Sequence, residues 1–197
     1  MAASIATCTN DAFPALLNEL RDQSLRPKQV RQLVTRLTTL VAKEAVASHA
    51  AGDKVAIIVV LRSGMQMTEA FVDELPEDVD VVIYHLGLFR DKASLQPVEY
   101  YNKLPAKDTN IRHAYVLDPL LATGGTITAA IYILRDWGVE NVTLVTLLAS
   151  KKGIEAAAGV WPDATRFVTG AIDPEVDVKG HVKPGLGDIG DRLFGTN

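Results

Sequence analysis

Val55-Ala56-Ile57-Ile58-Val59-Val60 is an unbroken apolar run of strand length. A strand with one wet face alternates apolar and polar residues, so a run without alternation belongs in a sheet covered on both faces, as parallel sheets are. Similar stretches recur at residues 79–86, 114–117 and 142–148, separated by helix candidates or by a polar segment. Helical spacing dominates upstream, where Leu33, Val34, Leu37, Leu40 and Val41 fall at three- and four-residue intervals. Arg26-Pro27 marks the start of that helix and Gly52-Asp53 breaks the pattern. Residues 127–137 read as a second helix closed by Gly138. The expectation is an α/β fold with a mostly parallel central sheet, flanking helices and right-handed crossovers. Ligands in such sheets sit at the carboxyl ends of the strands. Arg62-Ser63-Gly64, residues 87–90 and residues 118–126 each follow a strand, so all three segments converge on one edge.

The third segment carries the most chemistry. Tyr115-Val116-Leu117 runs into Asp118-Pro119-Leu120-Leu121-Ala122 and then into Thr123-Gly124-Gly125-Thr126, which opens a helix. Glycine lets the main chain approach an anion closely, the threonines offer hydroxyls, and the first N–H groups of the helix add partial positive charge. Asp118 adds an acceptor for a pair of vicinal hydroxyls, so the stretch reads as a sugar-phosphate site. The plainer reading of Thr-Gly-Gly-Thr is a well-capped helix start.

Composition narrows the classes. With 197 residues, 48% hydrophobic and 22% charged, the chain suits one buried core. The single cysteine, Cys8, excludes an internal disulfide and a cysteine-based metal cluster. No apolar run approaches the roughly 20 residues that span a bilayer, and the first ten residues lack the features of a signal or transit peptide, so the expected location is cytoplasmic. A net charge of −4 argues against a nucleic-acid partner, and with it against RNA-binding regulation. It leaves room for an anionic small molecule held by a few local arginines. His49, His85, His113 and His181 show no metal-ligand spacing. His85 reads as a core or crevice residue, and Lys151-Lys152 as a solvated turn before a helix.

Gly185-Leu186-Gly187-Asp188-Ile189-Gly190 spells GxGxxG. A dinucleotide fingerprint needs a strand before it and an acid about 20 residues beyond it, and only residues 191–197 follow here. A tight loop whose main-chain N–H and C=O groups read the edge of a planar base fits better.

The segment at residues 115–126 resembles the phosphoribosyl-diphosphate (PRPP) binding signature of the type I phosphoribosyltransferases, and its Asp-Pro is similar to that of the uracil phosphoribosyltransferase branch. Residues 180–196, Gly-His-Val-Lys-Pro-Gly-Leu-Gly-Asp-Ile-Gly-Asp-Arg-Leu-Phe-Gly-Thr, resemble that family's base-recognition and closing motif. Residues 88–91 with 96–105 resemble its flexible arm, and a weaker likeness runs from about Leu20 onward. The resemblance implies transfer of the 5-phosphoribosyl group from PRPP to N1 of uracil, giving UMP and pyrophosphate. It implies PRPP contacts at Arg62, Arg90, Asp118, Pro119, Leu120, Leu121, Ala122, Thr123, Gly124, Gly125, Thr126 and Asp188. It implies uracil contacts at Val182, Gly187, Asp188 and Ile189. Asp118, Arg62, Arg90 and Asp188 would form the catalytic set, with Mg²⁺ carried by PRPP and reached by Asp188.

On this reading residues 1–197 form a single domain, with an N-terminal arm at 1–19, a β-hairpin lid at 91–105 and a base-recognition segment at 170–197. The apolar helices at the start suggest a homodimer or larger homo-oligomer, and GTP is a candidate effector. The chain departs from the family at His181, where an aromatic is usual, and at Lys183, which adds a charge near the base loop. Those departures frame the alternative, a phosphoribosyltransferase-fold sensor or regulatory subunit that binds PRPP or nucleotide without turnover.

Overall fold

The computed structural model describes residues 3–46, 49, 50, 52–90 and 97–196, and at Arg90 and Pro97 the main chain alone. The elements run β1 (Ser4–Thr7), α1 (Phe13–Leu20), α2 (Pro27–Ala45), β2 (Lys54–Leu61), a 3-10 turn (Ser63–Met67), α3 (Thr68–Val72), β3 (Asp80–Arg90), β4 (Pro97–Asn102) and β5 (Ile111–Leu117). They continue with β6 (Leu120–Leu121), α4 (Gly125–Trp137), β7 (Asn141–Ser150), α5 (Lys151–Ala158), β8 (Thr165–Asp173), β9 (Glu175–Val176), β10 (Val182–Lys183) and α6 (Ile189–Phe194).

The main sheet has the order β1-β8-β7-β5-β2-β3-β4, with β6 continuing alongside β7. Its pairings are parallel except for β3 with β4. Successive residues of β2 feed opposite layers. Val55, Ile57 and Val59 pack under α1, α2 and α6 with Phe13, Val34, Leu37 and Leu193, whereas Ala56, Ile58 and Val60 pack under α4 and α5 with Ile131, Leu134 and Ile154. The unbroken apolar run therefore has the cause inferred for it: both faces of the strand are covered.

From β2 the chain goes to β3 on one side, then later takes up β5 on the other. That reversal opens a crevice between the loops after β2 and β5, the position where open α/β sheets bind ligands.

Several boundaries differ from the sequence reading. Helix α2 ends at Ala45, where its buried stripe ends and Val46 turns extended, short of the Gly52-Asp53 break. Lys151 and Lys152 are the exposed first residues of α5, not a turn ahead of it. The segment read as an N-terminal arm contains β1, which pairs with β8 at the sheet edge, and α1. Strand β8 was not anticipated, because Thr165, Arg166, Thr169 and Asp173 interrupt its apolar pattern. The hairpin read at residues 91–105 has β3 itself as one arm, since Leu86 to Arg90 pair with β4. Residues 91–96 lie outside the described residues. No helix among the described residues is long and apolar enough to cross a membrane.

Candidate active site

Strand β5 stops at Leu117 because the chain steps sideways at Asp118-Pro119. The Asp118 N–H donates to Val145 O at 3.2 Å, and the Pro119 carbonyl accepts from Leu147 and Leu148 N–H, each at 3.2 Å. The step leaves the Asp118 side chain in the crevice between β5 and β2, where it is only 7% exposed. Burial pushes its carboxyl up to about 7, against hydrogen bonds from Leu120 N–H and from the Ser63 hydroxyl, which lies 3.4 Å away.

Beyond β6 the chain turns into α4 through Gly124, whose φ of 86° is a left-handed conformation that glycine adopts freely. No side chain caps this helix, so its first-turn N–H groups are left for a ligand. The loop is supported from beneath by α5. The Ser150 hydroxyl donates to Ala122 O and accepts from Gly153 N–H at 2.8 Å, which fixes the loop against a second helix start.

Two adjoining cavities share Asp118, Leu120, Ala122, Thr126, Gly180, His181 and Asp188. One, of about 320 Å³, is lined by residues 123–126 and also by Lys179, Gly180 and His181. The second, of about 330 Å³, is lined by Arg62, Ser63, Leu88, Phe89, Gly187 and Ile189. The three sequence segments thus meet as expected, and the C-terminal loop joins them. Leu121, Thr123, Gly124 and Gly125 line the first cavity. Pro119 lines neither and braces β7 through its carbonyl. Val182 is buried at 3% exposure with its side chain in the core, so any base contact there falls to its main chain. Arg90 ends β3 at the root of the hairpin, and its side chain lies outside the described residues.

The C-terminal loop is held by partners that local sequence gave no sign of. Arg21 forms a two-pronged pair with Asp173 at 2.8 Å on each prong and also donates to Gly185 O at 2.9 Å. Gly185 N–H donates back to the same Asp173 at 2.9 Å. Buried Arg192 donates to Leu186 O and to Asp22 O, each at 2.6 Å. These contacts fix main-chain groups of Gly185 and Leu186, next to Gly187 on the cavity. Lys183, read as a charge near the base, instead lies 3.5 Å from Asp177 and lines neither cavity.

Asp118 and Asp188 bring two carboxylates to this space, and no group of three or more metal-binding side chains occurs among the described residues. Such a donor set fits a magnesium ion carried mainly by a ligand's own diphosphate oxygens and by waters.

The structure of the AQ2163 protein from Aquifex aeolicus shares the fold, with a TM-score of 0.84 at 24% identity over 96% of this chain and 97% of that one. The uracil phosphoribosyltransferase family model matches residues 46–196. A putative uracil phosphoribosyltransferase of Schizosaccharomyces pombe is 47% identical over 177 residues, which cover 90% of this chain and 83% of that protein. The uracil phosphoribosyltransferase of Finegoldia magna is 38% identical over 91% of this chain and 92% of its own length. With a matching family model over most of its length, and with relatives this similar aligned over 83% or more of both chains, this chain belongs to the uracil phosphoribosyltransferase family.

Proposed function

We propose that this chain transfers the 5-phosphoribosyl group of PRPP to N1 of uracil, releasing pyrophosphate and forming UMP. The observation that carries the reading is the shared wall of the two cavities. An uncapped helix start, a buried carboxylate and the C-terminal loop line two adjoining cavities with a common set of residues. A phosphate, a ribose and a planar base joined in that order need such a sequence of subsites.

In the reaction the C1–O bond to diphosphate breaks as the bond from N1 of uracil to C1 forms, through an oxocarbenium-like transition state, and the N1 proton leaves to the released pyrophosphate or to water. Residues 123–126 hold the 5-phosphate with main-chain N–H groups and hydroxyls. Asp118 accepts hydrogen bonds from the ribose hydroxyls. Arg62, with Arg90 from the hairpin root, takes the diphosphate oxygens. Magnesium carried by PRPP would supply charge neutralisation for the leaving diphosphate, and Asp188 would offer it a carboxylate oxygen. Val182 and Gly187-Asp188-Ile189 present main-chain groups to the alternating donors and acceptors of uracil. The protein's contribution is orientation, electrostatic stabilisation and exclusion of water, with no covalent intermediate. The hairpin arms β3 and β4, with Leu88 and Phe89 on the second cavity, form the element assigned to closing over the bound substrates.

On the same reading residues 1–197 act as one phosphoribosyltransferase domain, in the cytoplasm, as a homodimer or larger homo-oligomer with GTP as a candidate effector. PRPP-dependent conversion of labelled uracil into UMP by the purified protein tests the reaction. Absence of UMP in the presence of PRPP and Mg²⁺ contradicts it.

A further inference from the structure

The loop of residues 123–126 offers hydroxyls and N–H groups but no cation, and the acids on its cavity, Asp118 and Asp188, oppose the approach of an anion. The basic residues that line that cavity together with the loop are Lys179 and His181. They belong to the turn between β9 and β10, which is fixed through its main chain. Asp177 Oδ1 accepts from Lys179 N–H and from His181 N–H, each at 2.9 Å, and the Asp177 carbonyl accepts from Gly180 N–H at 2.9 Å. These main-chain donors hold the Asp177 carboxyl below the usual carboxylate range, His181 N–H foremost.

The charges on the turn divide unevenly. Asp177 Oδ2 lies 3.7 Å from His181 Nδ1 and 3.5 Å from Lys183 Nζ, so two of the three basic side chains face an acid of their own turn. Lys179 is exposed, and no ion pair among the described residues takes up its ammonium. The turn therefore brings one uncommitted positive charge to a cavity that an uncapped helix start also lines.

We propose that Lys179 is a substrate-binding residue, whose ammonium meets the 5-phosphate of the phosphoribosyl ligand from the side opposite residues 123–126. The inference rests on the reading above that this cavity takes the 5-phosphate. Lysine suits the role, because a phosphate gripped on one side by directional N–H groups needs only a compact point charge on the other. It also gives the dianion a counter-charge that balances the two carboxylates nearby.

Calorimetric titration of the whole protein with ribose 5-phosphate, and separately with pyrophosphate and Mg²⁺, tests it. Ribose 5-phosphate carries the cradle group alone, and pyrophosphate carries the group assigned to Arg62. Lys179→Ala is expected to weaken ribose 5-phosphate about tenfold, the scale of one charge-assisted contact, and to leave pyrophosphate within a factor of about two. Lys179→Arg is expected to recover most of the loss. Equal ribose 5-phosphate affinity in wild type and Lys179→Ala overturns the proposal, and so does an equal loss for both ligands. A wild-type protein that binds ribose 5-phosphate but makes no UMP overturns the uracil reading while the Lys179 comparison still decides this one. A wild-type protein that makes UMP but binds no ribose 5-phosphate overturns this proposal and leaves the uracil reading standing.

Discussion

Arg62 is held in place by Asp191: its Nη2 donates to the Asp191 carboxylate at 2.9 Å. Its Nη1 donates to the Thr196 hydroxyl at 3.2 Å, Thr196 donates to the same carboxylate at 2.6 Å, and the guanidinium stands 5.6 Å from the centre of the Phe194 ring. Two of the five guanidinium N–H groups are engaged in this way, which leaves the others for an incoming anion. All three partners lie on or just after α6, the helix whose N-cap is Asp188. The arginine assigned to the diphosphate is thus tied to the same element that the loop assigned to the base leads into.

An exposed ion pair of this kind adds little to stability, so its loss belongs in substrate binding. Asp191→Ala is expected to raise the KM for PRPP by about five- to tenfold, with the melting temperature nearly unchanged. Asp191→Asn, which keeps an acceptor oxygen, is expected to fall between. In an Arg62→Lys background the effect of Asp191→Ala shrinks to about twofold or less, because the two residues act as a unit. Steady-state kinetics of the four proteins in that cycle check this, and an undiminished effect in the Arg62→Lys background contradicts it.

The buried Asp118 carboxyl makes activity depend on pH. On the proposed function its ionised form accepts hydrogen bonds from the ribose hydroxyls, and that form prevails above about 7. Accordingly kcat/KM for PRPP is expected to rise with pH below about 7 and to level off above it. Asp118→Asn slows turnover at least tenfold, roughly the cost of a lost charge-assisted hydrogen bond, and removes this limb of the profile. A wild-type profile that is flat from pH 5.5 to 8 contradicts the assignment.

The same group affects stability with a definite sign. Its folded-state value of about 7 lies above the ordinary 3.8, so between those two the folded chain binds more protons than the unfolded chain. Stability from this residue is greatest below the unfolded value and is lost as pH rises through the folded one. Urea unfolding is therefore expected to show Asp118→Asn about equal to wild type at pH 3.5 and more stable by about 2–4 kcal/mol at pH 8. Equal stabilities at pH 8 contradict the burial account.

The base loop offers a way to separate the subsites. Gly185 has φ 65°, and an added Cβ runs into the Val182 carbonyl, so Gly185→Ala displaces the loop that Arg21 and Asp173 fix. The KM for uracil is expected to rise at least tenfold while calorimetric affinity for ribose 5-phosphate stays within about twofold. Equal losses for both ligands contradict the division of the site.

Removing one partner of a buried pair is costly, because the other is left charged and unmatched. Side-chain exposures of 21% for Arg21 and 8% for Asp173 place that pair in this class. Asp173→Ala is expected to lose about 3 kcal/mol of unfolding free energy at neutral pH, measured by urea denaturation. A loss under 1 kcal/mol contradicts it.

Much of this was legible where local pattern and tertiary role coincide. The run at residues 55–60 is apolar because both faces of β2 are covered, and the turn at Asp118 to Thr126 carries its chemistry in adjacent residues. Strand β8 was hidden because its Thr165, Arg166, Thr169 and Asp173 break the apolar pattern from which a strand is read. The residues that fix the base loop were hidden for another reason. Arg21 and Asp173 are 152 positions apart, and Arg192 reaches the Asp22 carbonyl across 170. No window of sequence contains both partners. Asp191 and Lys179 lie within or beside recognised motifs, yet their roles depend on which neighbour each side chain meets: Asp191 meets Arg62, and no ion pair among the described residues takes up Lys179.

UMP formation from PRPP and Mg²⁺ by the purified protein, with uracil run beside cytosine, hypoxanthine and orotate, tests the central claim most directly. The account predicts PRPP-dependent UMP from uracil and no nucleotide from the other three bases. Nucleotide from another base in preference to uracil, or none from any base while PRPP still binds by calorimetry, contradicts it.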